Sequence, residues 1–192
     1  MQALGAPPES RLFACDGSPF DCPLFIIGLN PAVYTGRDFW NGYWSDHTGF
    51  KKELLLDDLL EAEGALTTTR ANIEEIGRIA RLGTLDANLY LHVSSRFHQS
   101  HEKQHRPDVI DQLILTLKPK VVLAHSVKAI RHLAQTSDDL VEEPLAIQSV
   151  CWNGLPLIVI LSRHLGYVKG RAELQQICAA IVTAFGQAPR RK

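Results

Sequence analysis

Two apolar runs, each ending in polar residues, constrain the fold of this chain most strongly. Residues 24–29 read Leu-Phe-Ile-Ile-Gly-Leu and are followed at once by Asn30. Residues 157–161 read Leu-Ile-Val-Ile-Leu and lead into a short polar segment that ends in His164. Such runs are typical of strands buried on both faces of a parallel sheet. Because open α/β sheets bind ligands at the carboxyl ends of their strands, we expect Asn30 and His164 to face one crevice.

Predicted strands and helices alternate along the rest of the chain. The strands are expected at about 24–29, 85–93, 120–124, 147–152 and 156–161, and the helices at about 49–63, 69–81, 107–118, 126–134 and 171–185. This alternation predicts a three-layer α/β/α fold with a mainly parallel central sheet. A length of 192 residues suits a single domain over 1–192. Residues 1–23 contain several prolines and are interpreted as an irregular lead-in.

Several local signals support these boundaries. Asn153 and Gly154 lie between the last two strands and form a strong hairpin signal. Gly64 is expected to end the first helix. Ser126 follows a β-branched strand and is interpreted as a helix N-cap, because the glycines of a nucleophile elbow are missing around it.

Residues 31–48 are predicted to form a loop that is rich in glycine and aromatic residues. Its large rings include Phe39, Tyr43 and Trp44. So many aromatic side chains rarely stay loose in a loop. We therefore expect them either to cover the core or to line a pocket.

Composition excludes several classes of protein. With 45% hydrophobic residues the chain can bury a core, and its net charge of -1 gives no overall attraction to polyanions. The four cysteines include no C-x-x-C pair, and we interpret Cys151 and Cys178 as small buried hydrophobes. No signal-peptide pattern occurs, and the longest apolar run, 155–161, is far too short to span a membrane. The expectation is a soluble, cytoplasmic protein with no membrane association.

A histidine-rich stretch raises the question of a metal site. On a helix, His98 and His101 would share a face and His105 would follow one turn later, so the three form a possible set of metal ligands. However, arginine and lysine residues crowd the segment, and its composition indicates a loop. A positively charged strip that contacts phosphate is the favoured interpretation. We therefore expect no metal and no cofactor.

The order of the motifs resembles that of the uracil-DNA glycosylase superfamily. Residues 28–32 read Gly-Leu-Asn-Pro-Ala, which resembles the Gly-x-Asn-Pro-Gly motif of its mismatch-specific and single-strand-selective branches. Residues 42–49, Gly-Tyr-Trp-Ser-Asp-His-Thr-Gly, are similar to the Pro-Phe-x-Gly-x-x-Gly segment of the thermostable bacterial branch. Residues 86–89, Asp-Ala-Asn-Leu, resemble the Thr-Asn strand end that reads the base. The resemblance spans about residues 24–185.

Two later segments extend this resemblance. Residues 117–124, Leu-Lys-Pro-Lys-Val-Val-Leu-Ala, are similar to a Pro-x-Val-Val-Val-x-Leu-Gly pattern. Residues 162–166, Ser-Arg-His-Leu-Gly, occupy the place of a His-Pro-Ser motif. The chain departs from the family at Ala32, at Leu165 and Gly166, and at His125, where glycine is frequent. It also lacks the four iron–sulfur cysteines of the thermostable branch.

The resemblance implies a set of site residues. His164 would donate a hydrogen bond to the leaving base and Asn30 would orient the attacking water. Trp44 would stack on the flipped base, with Phe39 and Tyr43 as alternatives, and Asn88 would read its edge. The following loop would contact DNA through four residues: Tyr167 or Val168 as a wedge, and Lys169 and Arg171 at phosphates.

Each of these assignments has a structural alternative. Asn30 can simply cap a turn, and His164 can be a buried histidine with a structural role. Trp44 can cover the first helix, and Asn88 can be an amide at the start of a loop.

The expected function is that of a monomeric, metal-independent and monofunctional DNA glycosylase. Its partner would be DNA that contains uracil or another deaminated or damaged base. The alternative, from a different class, is a non-catalytic module on the same fold that binds nucleobases or single strands. A third possibility is an unrelated α/β hydrolase or nucleoside-processing enzyme.

Overall fold

This computed structural model describes residues 11–29, 35–90, 107–135, 137 and 139–188. Its strands are β1 (Phe13–Cys15), β2 (Leu24–Gly28), β3 (Trp44–Ser45), β4 (Gly49–Phe50), β5 (Thr84–Asn88), β6 (Val121–Ala124), β7 (Ile147–Trp152) and β8 (Leu155–Leu161). Its α-helices are α1 (Lys52–Glu63), α2 (Thr68–Ala80), α3 (Pro107–Leu117), α4 (Val127–Gln135) and α5 (Arg171–Gln187). A π-helix at Phe39–Tyr43 and 3-10 helices at Pro19–Asp21 and Leu165–Tyr167 complete the described elements.

Six strands form the central sheet in the order β1-β5-β2-β6-β8-β7. The four inner strands β5, β2, β6 and β8 are parallel, whereas β1 and β7 are antiparallel to their neighbours and form the two edges. The predicted α/β class and the mainly parallel sheet are therefore confirmed. Strands β3 and β4 pair separately as a two-stranded ribbon.

Side chains of the parallel strands alternate between two cores. In β2, Phe25 and Ile27 belong to a core that also contains residues of α1, α3 and α4. Leu24 and Ile26 belong to a second core with residues of α2 and α5. Because a strand has a period of two residues, Gly28 continues the side of Leu24 and Ile26 and faces the second core. The residues near Gly28 are therefore those on the side of the sheet that carries the second core.

Three local predictions are confirmed. Asn153 and Gly154 have φ values of 47° and 79° and connect β7 to β8, as a primed hairpin turn requires. Gly64 ends α1 with a φ of 72°. Ser126 caps α4, since its Oγ accepts a hydrogen bond from the backbone N–H of Ala129 at 3.1 Å.

The segment before β2 is more ordered than its composition suggests. The interpretation of residues 1–23 as irregular is wrong for Phe13–Cys15, which pairs antiparallel with β5 so that Phe13 lies opposite Ala87. Three residues are too short for a periodic signal, and the strand forms because β5 presents an open edge. Residues 1–10 lie outside the described part of the chain.

The predicted loop at 31–48 and the helix after it also need correction. Phe39–Tyr43 is a π-helix and Trp44–Ser45 pairs with Gly49–Phe50, so α1 begins at Lys52 instead of residue 49. Gly49 has a φ of 77°, and a Cβ there would lie 2.4 Å from the carbonyl oxygen of Gly17. Only glycine fits this close crossing of the two segments.

Two further expectations differ from the structure. Strand β5 ends at Asn88, whereas the prediction continued it to residue 93, of which 91–93 lie outside the described residues. Cys178 is buried as expected, but Cys151 is exposed on the edge strand β7, so its interpretation as a buried residue is wrong. Across the described ranges, no helix combines the length and apolar character needed to cross a membrane.

Candidate functional site

The carboxyl ends of the four parallel strands bring polar residues to one edge of the sheet. Strand β5 ends in Asn88, β6 is followed by His125, and β8 is followed by Ser162 and His164. Strand β2 lies between β5 and β6 and ends in Gly28, directly opposite Asn88. After β2 the chain first forms β5, which pairs with one edge of β2, and later forms β6 and β8, which lie beyond the opposite edge of β2. The sheet therefore has its topological switch point at β2, where ligands of open α/β sheets bind.

Gly28 provides the space in which two of these side chains meet. A Cβ atom on Gly28 would lie 2.6 Å from Asn88 Oδ1 and 2.9 Å from His125 Nε2. Both distances are shorter than real Cβ contacts. The missing side chain thus allows a carboxamide and an imidazole from the flanking strands to converge above the end of β2.

His125 is held in one orientation by the backbone around it. Its own N–H donates to Ile27 O at 3.0 Å, and its ring Nδ1 accepts a hydrogen bond from the Leu165 N–H at 3.4 Å. The residue is only 3% exposed. Burial, followed by the proximity of His164, lowers the pKa of His125 to about 3. The neutral ring therefore carries its proton on Nε2, the atom that faces Gly28 and Asn88.

His164 is fixed by a comparable contact. It caps the 3-10 helix Leu165–Tyr167, with its Nδ1 accepting from the Gly166 N–H at 3.1 Å. The half-buried ring meets His125 edge to face at a centroid distance of 5.1 Å, and Tyr167 lies 5.6 Å away on another side. Burial lowers the pKa of His164. With Nδ1 used as an acceptor, the neutral ring presents Nε2–H as a hydrogen-bond donor.

The Asn88 carboxamide lies at the carboxyl end of β5, beside Gly28. Asn88 is 9% exposed, yet no hydrogen bond between described residues engages its side chain. Buried polar groups in folded proteins are nearly always hydrogen-bonded.

The acidic residue nearest to Asn88 along β5, Asp86, has a structural role. Its two carboxylate oxygens accept hydrogen bonds from Arg70 at 2.8 and 2.7 Å, and Arg11 approaches to 4.0 Å. Burial alone would raise the pKa of Asp86, but the charge and hydrogen bonds of Arg70 more than offset it and lower the pKa. Asp86 is therefore ionised and committed to Arg70, which makes it unsuitable as a general base.

The ion pairs of Asp86 continue towards the N-terminal strand. Arg70 also contacts Glu74 at 3.1 Å, and Lys52 bridges Glu74 at 2.6 Å and Asp16 at 2.8 Å. Asp16 in turn accepts a hydrogen bond from the Thr84 N–H at 2.8 Å. Positive and negative groups alternate along this chain, so that each charge has an opposite neighbour.

A cavity of about 610 Å³ opens beside His164 on the β6–β8 side of the site. Its lining includes Leu29, Ser126, Ser162, Arg163, His164 and Tyr167. The volume falls in the range of small-molecule sites, and the mixture of apolar walls with a few polar groups is typical of them. His164 thus lies between His125 on one side and an accessible cavity on the other.

The predicted base-stacking residues lie on the other face of the sheet. Trp44 is half-buried, meets Phe13 edge to face at 6.3 Å, and donates from Nε1 to Asp46 at 3.0 Å. Phe39 and Tyr43 are each 3% exposed and belong to the same core as Phe13. Asn88 faces the second core. Trp44, Phe39 and Tyr43 therefore lie together on the side of the sheet opposite to Asn88. Stacking of Trp44 on a base stays a prediction.

The predicted DNA-contacting loop follows His164 directly. Tyr167 is 69% exposed, whereas Val168 is 2% exposed and packs in the second core. Of the two predicted wedge residues, only Tyr167 presents its side chain to solvent. Lys169 and Arg171 are both exposed at the start of α5.

Arg163 links this loop to helix α5 through hydrogen bonds. Its guanidinium donates to Tyr167 O at 2.7 Å and also to the carboxylate of Glu173. The backbone of Tyr167 is thereby tied to α5 while its ring remains accessible.

Several predicted residues lie outside the described part of the chain. These are Asn30, His98, His101 and His105. Within the described residues, no group of three or more histidine, cysteine or acidic side chains forms a metal site.

His125 is the site residue that sequence reasoning missed. In the sequence it stands out only as a departure from a frequent glycine, although it follows a β-branched strand just as Asn30 follows an apolar run. The same strand-end rule that selects Asn30 and His164 would have selected His125. Its contact with Asn88 could not be foreseen, because it depends on Gly28 in a third strand.

Comparison with known proteins does not assign a family. No protein-family model matches this chain, and no curated protein sequence matches it.

Proposed function

We propose that this protein is a DNA glycosylase that hydrolyses the N-glycosidic bond of uracil or another deaminated or damaged base. The observation that supports the proposal is the row of polar side chains at the carboxyl ends of the parallel strands, in which Asn88 and His125 both lie beside Gly28 and His125 is in ring contact with His164. Asn88 suits the recognition of a base edge and His164 suits the stabilisation of a leaving base. The motif order described above supports the same activity.

Recognition of the base would depend on Asn88. A carboxamide offers both donors and an acceptor, which match the adjacent carbonyl and N–H groups of uracil. The base has to leave the DNA stack to reach this edge of the sheet. The exposed ring of Tyr167 lies beside His164, where it can fill the gap that a flipped base leaves.

Departure of the base would depend on His164. As the bond between C1′ and the base nitrogen breaks, its electron pair moves to the base and charge collects on a carbonyl oxygen. The Nε2–H of neutral His164 can donate to this oxygen. A water molecule forms the new bond to C1′, and one of its protons ends on the departing base. Asn30 is the residue predicted to hold that water.

One observation favours the non-catalytic alternative. The carboxylate nearest to Asn88 along β5, Asp86, is bound on both oxygens by Arg70. An amide at position 30 is a poor general base, so the enzyme would act more slowly than one with a carboxylate there. A protein that binds nucleobases or single strands needs recognition by Asn88 and no general base at all.

The test is incubation with single- and double-stranded oligonucleotides that carry uracil or hypoxanthine, followed by alkali to break the strand at abasic sites. We expect strand breaks with the parent protein and none with Asn30→Ala, whose melting temperature should match the parent. A lower melting temperature in Asn30→Ala would give that residue a structural role. Absence of breaks with every lesion, together with retained oligonucleotide binding, would favour the binding module. Activity on free nucleosides alone would indicate a nucleoside-processing enzyme.

A further inference from the structure

We propose that Asn72 is a positioning residue for His164, and that it acts by linking the turn at residues 164–168, the His164 turn, to helix α2. This inference rests on the proposed function, because His164 is the residue that would donate to the departing base. Asn72 lies outside the motif segments that carry the family resemblance.

The first step is a pair of hydrogen bonds from one side chain. Asn72 is partly buried on α2, and its Nδ2 donates to Leu165 O and to Val168 O, each at 2.8 Å. An amide nitrogen carries two hydrogens, and backbone carbonyl oxygens only accept, so the NH2 group has to face the turn. Asn72 thus joins α2 to two backbone positions of the His164 turn.

The second step is the close packing of the His164 turn on α2. Leu165 and Val168 are 0% and 2% exposed and belong to the second core, together with residues of α2. A Cβ atom on Gly166 would lie 2.9 Å from Thr69 Oγ1, so the turn approaches α2 at a distance that only glycine permits. Helix α2 is therefore the surface on which the turn is held.

The third step is the dependence of the His164 ring on this backbone. Its Nδ1 accepts the Gly166 N–H at 3.1 Å, and its carbonyl oxygen accepts the Tyr167 N–H at 2.9 Å. Both donors lie between the two carbonyl groups that Asn72 binds. Loss of the Asn72 hydrogen bonds should therefore loosen the backbone that sets the direction of the ring. Asn72 would act through His164 and not on the base itself.

Three variants separate this role from a general contribution to folding. Asn72→Ala removes both hydrogen bonds and keeps a residue that favours helix. Asn72→Asp keeps the size of the side chain but replaces the NH2 group with an oxygen that cannot donate. Thr67→Ala is the matched control, because it removes the N-cap hydrogen bond from the Arg70 N–H and leaves both Asn72 hydrogen bonds in place.

Amide hydrogen exchange, followed by NMR, measures the anchoring of the turn without a substrate. The reporter is the Gly166 N–H, which donates to His164 Nδ1. We expect this amide to exchange about tenfold or more faster in Asn72→Ala and Asn72→Asp, while amides in the centre of α2 exchange at the parental rate. Thr67→Ala should give the opposite pattern, with faster exchange at the start of α2 and a parental rate at Gly166.

Single-turnover excision of uracil from an oligonucleotide measures the consequence for the chemistry. Asn72→Ala should lower the rate about tenfold or more, whereas Thr67→Ala should leave it unchanged. In a protein that already carries His164→Asn, Asn72→Ala should have no further effect on the rate, because it acts through the ring that is missing. A purely structural role would lower the rate by the same factor in both backgrounds.

The outcomes distinguish the two proposals. A folded Asn72→Ala protein with parental Gly166 exchange would overturn the role of Asn72 and leave the glycosylase proposal intact. Equal losses of excision with and without His164 would do the same. A parent that excises no base would overturn the proposed function, whereas faster Gly166 exchange in Asn72→Ala would still support the anchoring of His164. If Asn72→Ala fails to fold, the same measurements on Asn72→Ser, which retains one hydrogen-bond donor, decide the question.

Discussion

His125 Nε2 and Asn88 Oδ1 approach the same point above Gly28, at 2.9 and 2.6 Å from the position that a Cβ atom would occupy. The two side chains come from strands on opposite sides of β2. Both side chains can lie so close to the end of β2 only because Gly28 has no side chain. This relationship makes position 28 the most sensitive backbone position of the candidate site.

Gly28→Ala should therefore disturb the positions of the Asn88 and His125 side chains, although residue 28 itself has no side chain to contact a ligand. The added methyl group would displace Asn88 and His125, and overpacking of this kind typically costs about 1–3 kcal/mol of unfolding free energy. Uracil-oligonucleotide binding should fall at the same time. Gly186→Ala is the control, because no described atom outside its chain neighbours and its own helix backbone lies within 4 Å of its Cβ position. Denaturant unfolding and anisotropy would check both effects, and a Gly28→Ala protein that binds and unfolds like the parent would contradict the geometry.

His164 can be tested with a substitution that retains its local structural contact. In His164→Asn, the short side chain can still accept the Gly166 N–H, but no donor remains at the position of Nε2. We expect excision to fall about a hundredfold or more while the melting temperature stays close to the parent. His164→Ala should lose both the excision and some stability. Single-turnover excision rates that are unchanged in His164→Asn would remove His164 from the chemistry.

The buried His125 should make stability depend on pH. Its pKa is lowered to about 3 in the folded state, whereas an unfolded histidine titrates near pH 6.5. Below about pH 6.5 the unfolded chain takes up a proton that the folded protein excludes, so the free energy of unfolding decreases as pH falls. The slope from this group is at most about 1.4 kcal/mol per pH unit.

His125→Gln should remove this component. Denaturant unfolding of both proteins between pH 7 and pH 5 measures the difference in slope. His164, Asp86 and Arg70 are the titratable or charged groups near the ring, and the substitution retains all three. If the free energy of unfolding depends on pH equally in the two proteins, the pKa of His125 is not lowered in the folded state.

Asp86→Asn should destabilise the fold strongly. Arg70 is 5% exposed and donates to both oxygens of Asp86, so the substitution leaves a buried cation without its main partner. Breaking one side of such a pair costs about 3–5 kcal/mol. Glu75→Gln is the matched control, because the ion pair of Glu75 with Arg78 is exposed and screened by water, so that its loss should change stability little. Equal urea midpoints for the two variants would show that Asp86 is dispensable.

Trp44 can be compared with its neighbour in the same aromatic cluster. Its ring meets Trp40 at 5.9 Å, and both are partly buried against the first core. Trp44→Ala should weaken binding of a damaged-base oligonucleotide by about 1–3 kcal/mol if the ring stacks on the base. Trp40→Ala should lose similar packing without this effect. Equal affinities for the two variants would limit Trp44 to a role in the core.

The polar strand ends were predictable from the sequence, and the contacts between them were not. An apolar run that stops at Asn30 or before His164 indicates the carboxyl end of a parallel strand, and the α/β class follows from the alternation of such runs with helices. The pairing of Arg70 with Asp86 spans two elements, and nothing in either local segment indicates it. The three residues of β1 also carry no periodic signal. Their conformation depends on an edge that only the assembled sheet provides.

Strand β1 covers the edge of β5 that would otherwise be the outer edge of the sheet. Arg11 lies beside Asp86, and Asp16 accepts from Thr84 and Lys52, so the two ends of β1 are fastened to β5 and α1 by charge. A shortened chain that starts at Leu24 would leave β5 as the outermost strand, with one row of amide and carbonyl groups open to solvent. An open strand edge of this kind pairs readily with the same edge of a second molecule. Strand β1 thus covers part of the longer edge of β5, and we expect a chain shortened to Leu24 to self-associate more than the parent in size-exclusion chromatography.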